Sequence, residues 1–456
     1  MPSDARKTAL MILNRLGKGR SILDNLVDDI LNKNNEISGK DRALSNALVF
    51  GVLRRQGKLD YVIKHFSKTP LNKIDPEILN ILRIGLFQIT DMSRIPVSAA
   101  VNTSVEMAKA TAPLWVVRYV NGLLRNAARN FQEVVFPSID TNPAYGLSVS
   151  KSFPEWLVKR WLNRFEIYET IELCDALNVI PPVTIRTNTL LTARDKLMEA
   201  VRSKASTIKK TCFSPSGICL YNLKKPIHEF NAFKKGWFQV QDEAAQLSSI
   251  LADPQPKETV LDACAGLGGK TAHLAQLMKN QGAILAMDNN AKKLSRLDME
   301  MKRLGISIVS TLRHDLKVPL EKKHSAKFDK ILFDAPCSGL GVIRRNPDTK
   351  WRTSETDIIR CAKKQLCFLC RLADNLKPGG ILVYTVCSTE PEENEQVINA
   401  FLSTRKDFAV DRDILHLTQK EASLVDGKGY LKTFPHLHQT DGFFSVRMKR
   451  LSKDPN

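Results

Sequence analysis

Lys330-Ile331-Leu332-Phe333-Asp334-Ala335-Pro336-Cys337 decides how the chain is read. An apolar run ends there in an acid, a proline and a thiol. Short apolar runs bounded by turn residues read as strands buried on both faces, the mark of a parallel sheet. The arrangement recurs at Ile381-Leu382-Val383-Tyr384, which leads into Thr385-Val386-Cys387-Ser388. In open α/β sheets ligands bind beyond the carboxyl ends of the strands, so both cysteines stand where chemistry occurs. A thiolate is a good nucleophile. For either cysteine taken alone, a buried structural role is the ordinary alternative.

Outward from these two runs, residues 236–450 alternate apolar strands with helical stretches, the pattern of a doubly wound sheet. Further strands are expected at 259–261, 283–287 and 308–312. Asp262, Asp288 and Asp334 each stand just past such a run, and Asp315 a little beyond another. Acids at strand ends can be helix caps. Four of them around one pocket better suit a ligand with hydroxyls, an amine and a positive charge.

The first strand runs into Asp262-Ala263-Cys264-Ala265-Gly266-Leu267-Gly268-Gly269-Lys270-Thr271 and a helix expected at 272–278. A phosphate-binding loop needs glycine where Cys264 stands. A dinucleotide fingerprint would put its third glycine on Thr271. The remaining glycines still let backbone approach a ligand at a helix N-terminus, and Asp288 is placed to grip ribose hydroxyls. With no pyrophosphate pattern, S-adenosylmethionine is the better adenosine-containing candidate, its methionine end facing the loop. A tight turn without a ligand is the alternative.

The 456 residues suffice for two or three domains, with 43% hydrophobic and 25% charged residues as in ordinary globular proteins. No apolar run reaches the length of a membrane span, and the first residues lead into an amphipathic helix, not a signal peptide. A cytoplasmic location is expected. Lys and Arg number 68 against 48 acids, a net charge of +20 that favours a polyanionic partner. Charge alone does not choose between RNA, DNA and an anionic membrane. Nine scattered cysteines do not form a disulfide framework. Cys367 and Cys370 lie in a stretch where Ala362, Leu366, Leu369, Ala373 and Leu376 recur at helical spacing, which favours packing over metal. No metal site is expected.

Residues 1–136 read as helical. Leu10, Leu13, Leu16, Leu23, Leu26 and Ile30 follow helical periodicity, and Leu44, Ala47, Leu48 and Val52 mark a second stretch. A later stripe, Val117, Val120, Leu124 and Ala127, has Arg118, Arg125 and Arg129 on its other side. Those arginines read as a solvated face or as an RNA-backbone footprint. Two prolines punctuate 136–143 and mark a linker that suggests separate folding. Residues 141–235, with a short helix at 154–165 and strand-like composition at 181–188, read as a small α+β segment.

Cys264 to Lys270, Asp334-Ala335-Pro336-Cys337-Ser338-Gly339, and Cys387-Ser388 through Pro391-Glu392-Glu393-Asn394-Glu395 resemble the motifs of RNA cytosine-5 methyltransferases. The stretch from Trp237 to Gln246 is similar to that family's opening motif, and Asp441-Gly442-Phe443-Phe444 to its closing one. The front resembles the NusB-like RNA-binding domain at Phe50-Gly51-Val52-Leu53-Arg54, at Leu82 to Gln88 and at Val120 to Arg125. Together the likenesses span about residue 5 to about residue 449. Gly266-Leu267 stands where the family usually has Ala-Pro, and Val386 where it usually has Thr.

The resemblance implies an all-α N-terminal domain (1–136), a small α+β RNA-binding segment (141–235) and a C-terminal Rossmann-like methyltransferase domain (236–450). Cys387 would add to carbon 6 of cytosine, which makes carbon 5 ready to accept a methyl group. Asp334 would hold the base edge and sit against the cofactor, and Cys337 would assist release. Cys264, Ala265, Gly266, Leu267, Gly268, Gly269 and Lys270 would hold the methionine end of S-adenosylmethionine, Asp288 the ribose and Asp315 the adenine amine. A NusB-like front joined to this catalytic part implies small-subunit ribosomal RNA as substrate, a monomer, and no DNA or membrane partner. Transfer RNA as substrate, or a non-catalytic RNA-binding assembly factor, are the alternatives.

Overall fold

The computed structural model describes residues 5–19, 22–32 and 37–452. The chain forms two compact units. One contains the residues up to Val179 together with Ile343–Thr353; the other contains Ile180–Val342 and the chain from Ser354 onward.

The first unit is helical. Its principal helices are Ala5–Gly17, Gly39–Phe66, Pro76–Asp91, Val97–Lys109 and Leu114–Asn130, followed by Pro143–Lys151, Glu155–Leu162 and Ile167–Asn178. Local chemistry fixes their starts. Ser38 accepts from the Asp41 N–H at 3.1 Å, and Asp75, ahead of Pro76, accepts from the Glu77 N–H at 2.8 Å. The expected apolar stripes form the core, with Leu13, Leu48, Val52, Val120 and Leu124 all buried. One expectation is corrected. Ala47 is exposed, and Ser45 and Val49 turn inward on that helix instead. Gly51 meets the Phe87 ring so closely that a Cβ there would overlap it, which lets helices Gly39–Phe66 and Pro76–Asp91 approach.

The helical unit does not close at the proline-punctuated stretch. The three helices after it belong to the same unit, and so does a segment from far along the chain. Trp351 donates its indole N–H to the Leu53 carbonyl at 2.7 Å, and Arg54 donates to the Arg344 carbonyl at 2.8 Å. Lys350 is fully buried over the Phe153 ring and donates to the Arg54 carbonyl and to Asn178 Oδ1, both at 3.1 Å. Burial holds its ammonium well below the usual lysine range. The expectation of a separately folding front part is therefore not what the packing shows.

The second unit holds two sheets. The smaller contains β1 (Val183–Thr187), β2 (Ala205–Lys210), β3 (Gly217–Leu223) and β4 (Phe238–Val240), in the order β2-β3-β1-β4 with antiparallel pairings. Ile185, Ile218, Leu220 and Phe238 pack its buried face against Leu197 and Val201. β4 lies in the stretch that resembles the opening catalytic motif, so this sheet continues past residue 235.

The larger sheet comprises β5 (Thr259–Ala263), β6 (Ala283–Asp288), β7 (Val309–Arg313), β8 (Phe328–Asp334), β9 (Leu376–Val386), β10 (Phe408–Val410), β11 (Tyr430–Thr433) and β12 (Phe443–Arg450). Its order is β10-β12-β9-β8-β5-β6-β7, with β11 also pairing with β12. β5 to β9 are the five strands expected from sequence, and they run parallel. β12 lies antiparallel beside β9. Successive residues face opposite sides. Leu261, Ile331, Phe333, Leu382 and Tyr384 pack one layer; Val260, Leu332 and Val383 pack the other. The chain leaves β5 toward β6 on one side and returns to β8 on the other, which makes the β5/β8 boundary the topological switch point. No described helix is long and apolar enough to cross a membrane.

Candidate active site

β8 and β9 are parallel neighbours, with Asp334 opposite Thr385. That register brings the segments beyond their ends together. Cys337 Sγ and Cys387 Sγ lie 3.0 Å apart, both as free, half-buried thiols. The contact with Cys387 and then burial push the Cys337 thiol well above the usual cysteine range, which keeps it protonated.

The loop after β5 is shaped by left-handed backbone at Cys264 (φ +64°), Gly266 (φ +59°) and Gly268 (φ +84°). Gly268 starts helix Gly269–Leu277, so the helix begins three residues earlier than the apolar pattern indicates. Asp288 is almost fully buried at the end of β6, its Oδ2 accepting from the Gly266 N–H at 3.1 Å and its Oδ1 from the Asn290 N–H at 2.8 Å. Burial, aided by Asp334 and Asp288, pushes the Cys264 thiol up to about 12.

Lys270 reaches from the first turn of that helix to Asp334, Nζ to Oδ2 at 2.7 Å, with the Phe443 ring 5.3 Å from the ammonium. Burial pulls the Lys270 ammonium down and the Asp334 carboxylate outweighs it, so the group is held charged. Asp262, at the end of β5, has no exposed surface. Thr271 Oγ1 donates to its Oδ2 at 2.5 Å, and its Oδ1 has no hydrogen-bond partner among the described residues. Burial, with Asp334 and Asp288 adding to it, raises Asp262 to about 7 against the opposing Thr271 bond. An orphaned buried carboxylate oxygen is costly unless a donor arrives. It fits the amine of an amino-acid ligand.

Of the residues singled out from sequence, the structure gathers Cys337, Cys387, Asp334 and Lys270, with the Cys264–Gly269 loop and Asp288 alongside. Asp315 is apart in character: it is exposed two residues beyond β7, its Oδ1 accepting from the Lys317 N–H at 3.0 Å. Arg186, not singled out from sequence, is fully buried and donates to the Gly269 carbonyl at 2.9 Å and to Gln276 Oε1 at 2.7 Å. Its signal was a lone cation inside the strand-like 181–188. Glu393 was noticed only as part of a motif.

The family described as 16S rRNA methyltransferase RsmB/F matches residues 249–449, and the RsmF/B-like ferredoxin-like domain and the NusB family match 153–226 and 3–129. The chain is 34% identical over 451 residues to a Bacillus subtilis protein, covering 98% of this chain and 99% of that one. That relative is named a probable ribosomal RNA small subunit methyltransferase B. The chain belongs to the RsmB/F family. A Synechocystis relative of the same name is 35% identical, again over 98% of this chain and 99% of the other. The crystal structure of the protein PH0851 superposes with a TM-score of 0.80 at 28% identity, covering 99% and 100% of the two chains. RsmB/F membership thus extends over the helical unit, the small sheet and the large sheet alike.

Proposed function

We propose that this chain transfers a methyl group from S-adenosylmethionine to carbon 5 of a cytosine in small-subunit ribosomal RNA, with Cys387 as the nucleophile. The observation that carries this reading is the pair of thiols 3.0 Å apart at the carboxyl ends of two neighbouring strands, beside Asp334.

Cys387 adds as thiolate to carbon 6, and the electron pair passes into the ring. Asp334 is held in place by Lys270 through Oδ2. It lies at the base edge and favours a proton on ring nitrogen 3, which stabilises the developing charge. When bound, the sulfonium cofactor supplies the electrophilic methyl group. Cys337 assists by giving up its own proton to solvent and taking the carbon 5 proton; nitrogen 3 returns its proton to Asp334 and the Cys387 thiolate departs, which restores the ring. The Cys264–Lys270 loop and Asp262 would hold the methionine end of the cofactor, Asp288 its ribose and Asp315 its adenine amine.

The target base must be unstacked at a cost of a few kcal/mol, which favours loops and single strands. The reading takes the chain to act as a monomer in the cytoplasm on RNA. A DNA-type assignment would make Cys337, in Pro336-Cys337, the nucleophile, and would leave Cys387 without a role. Denaturing gels of protein incubated with a 16S ribosomal RNA transcript and cofactor separate the two. Cys387→Ala should abolish methylation and form no linked species; Cys337→Ala should accumulate protein covalently bound to RNA. A linked band in Cys387→Ala and none in Cys337→Ala would overturn the assignment.

A further inference from the structure

Beneath the two thiols lies a carboxylate to which the mechanism above gives no part. Glu393 has no exposed surface and no cation beside it among the contacts that hold it. Its Oε1 accepts from the Ser338 N–H at 2.8 Å and from Gln365 Nε2 at 3.0 Å. Its Oε2 accepts from the hydroxyls of Ser338 and Ser388, each at 2.5 Å. Ser338 directly follows Cys337, and Ser388 directly follows Cys387. Gln365 also donates to the Pro336 carbonyl at 3.0 Å, and the Tyr384 hydroxyl donates to Gln365 Oε1 at 3.0 Å and to the Glu393 carbonyl at 2.6 Å.

A buried carboxylate is an expensive way to join two loops, because desolvation of the ion has to be offset by hydrogen bonds. Burial does push Glu393 up, against the pull of Ser338, Ser388 and Gln365. Apolar packing would join the loops without that penalty, but would not set direction. Four donors converging on one rigid carboxylate do, since each charge-assisted bond is short and oriented. Both cysteines are thereby tied, one residue away, to the same group.

We propose that Glu393 is a positioning residue for both thiols, holding the Cys337 and Cys387 loops in one register so that attack and release take place at a single cytosine. This rests on the two-cysteine reading given above. The hydrogen bonds of the Glu393 carboxylate go to Ser338, Ser388 and Gln365, so it holds the two cysteine loops through the residues that follow each thiol.

The test is methyl transfer to a 16S ribosomal RNA transcript, followed under multiple turnover for kcat and under single turnover on denaturing gels for the linked species, with calorimetry following cofactor binding. Glu393→Ala should lower kcat about 100-fold, the scale of a misplacement of about 1 Å, with cofactor affinity within about twofold of wild type. It should slow both the appearance and the decay of the linked species. Glu393→Gln keeps one acceptor and can donate to the hydroxyls, and should recover to within about tenfold of wild type. A Glu393→Ala rate within twofold of wild type overturns the proposal, as does slowing of only one of the two steps, or an equal loss of cofactor affinity. Should Glu393→Ala not fold, Glu393→Gln decides: a kcat loss of several-fold at unchanged cofactor affinity supports the role, and an unchanged kcat overturns it. Cys337→Ala protein that forms no linked species marks failure of the two-cysteine reading, whereas an active wild type with an unimpaired Glu393→Ala defeats this proposal alone.

Discussion

The centre of the helical unit is made of Leu, Ile and Val, whereas the carboxyl ends of β5, β8 and β9 are held by Asp262, Lys270, Asp334, Glu393 and two serines. In the first region each side chain contributes by being removed from water, and its partners are interchangeable so long as volume is kept. In the second, each group has a few named partners, and its environment holds the proton affinity of Asp262, Lys270, Cys337 and Glu393 above the ordinary value. Stability resides in the one region and reactivity in the other, and perturbed groups gather where chemistry is done.

That contrast can be broken most strongly at Leu124, which is fully buried among the helices. Leu124→Ala should cost about 2–5 kcal/mol of unfolding free energy while cofactor affinity of the folded protein stays unchanged. Denaturant melts and calorimetry on the same sample read both, and an affinity loss matching the stability loss would erase the distinction between the regions.

Asp262 should show the opposite trade. Burial raises its carboxyl from the ordinary 3.8 to about 7. Being raised, it favours the fold below the unfolded value, and that contribution is lost as pH rises through about 7. Asp262→Asn should therefore stabilise the cofactor-free protein at pH 8, by at most about 4 kcal/mol, with little change at pH 4. The same variant should bind S-adenosylmethionine more weakly at pH 7.5. The wild-type affinity should fall about tenfold per unit as pH drops below 7, and the variant should lose that dependence. Thermal melts at pH 4 and pH 8 and calorimetry across pH 6–7.5 check the two halves, and a pH-independent wild-type affinity would remove Asp262 from the cofactor site.

The smallest effect on folding is expected at Arg118, Arg125 and Arg129, all exposed on helix Leu114–Asn130. Replacing all three by Ala should change stability by less than about 0.5 kcal/mol each. The slope of log affinity for RNA against log salt should become shallower by about 0.7 per arginine. An unchanged slope in filter binding would leave these groups as a solvated face only.

Much of the architecture was legible because it is written in local periodicity. The five parallel strands, the apolar stripe of Val117, Val120, Leu124 and Ala127, and the placement of both cysteines beyond strand ends all follow from runs of a few residues. The start of helix Gly269–Leu277 was missed because a left-handed Gly268, rather than an apolar residue, begins it. The partners in the site were not legible at all. Lys270 pairs with Asp334 across 64 positions and Glu393 with Ser338 across 55, distances over which no spacing rule operates. Ala47 was misplaced for a milder reason: helical spacing admits neighbouring faces, and the core took Ser45 and Val49.

Lys350 and Trp351 give the order of synthesis a structural meaning. Domains generally fold as units from the N-terminus while the chain is being made. Here the helices from Gly39 to Asn178 emerge early, yet the Leu53 and Arg54 carbonyls, the face of Phe153 and Asn178 Oδ1 wait for a segment at 343–353. A nascent chain released before that point carries eight principal helices with an unfilled seat. The helical unit is thus finished only after β5, β6, β7 and β8 have been translated, and its completion reports that half the strands of the catalytic sheet have already been made.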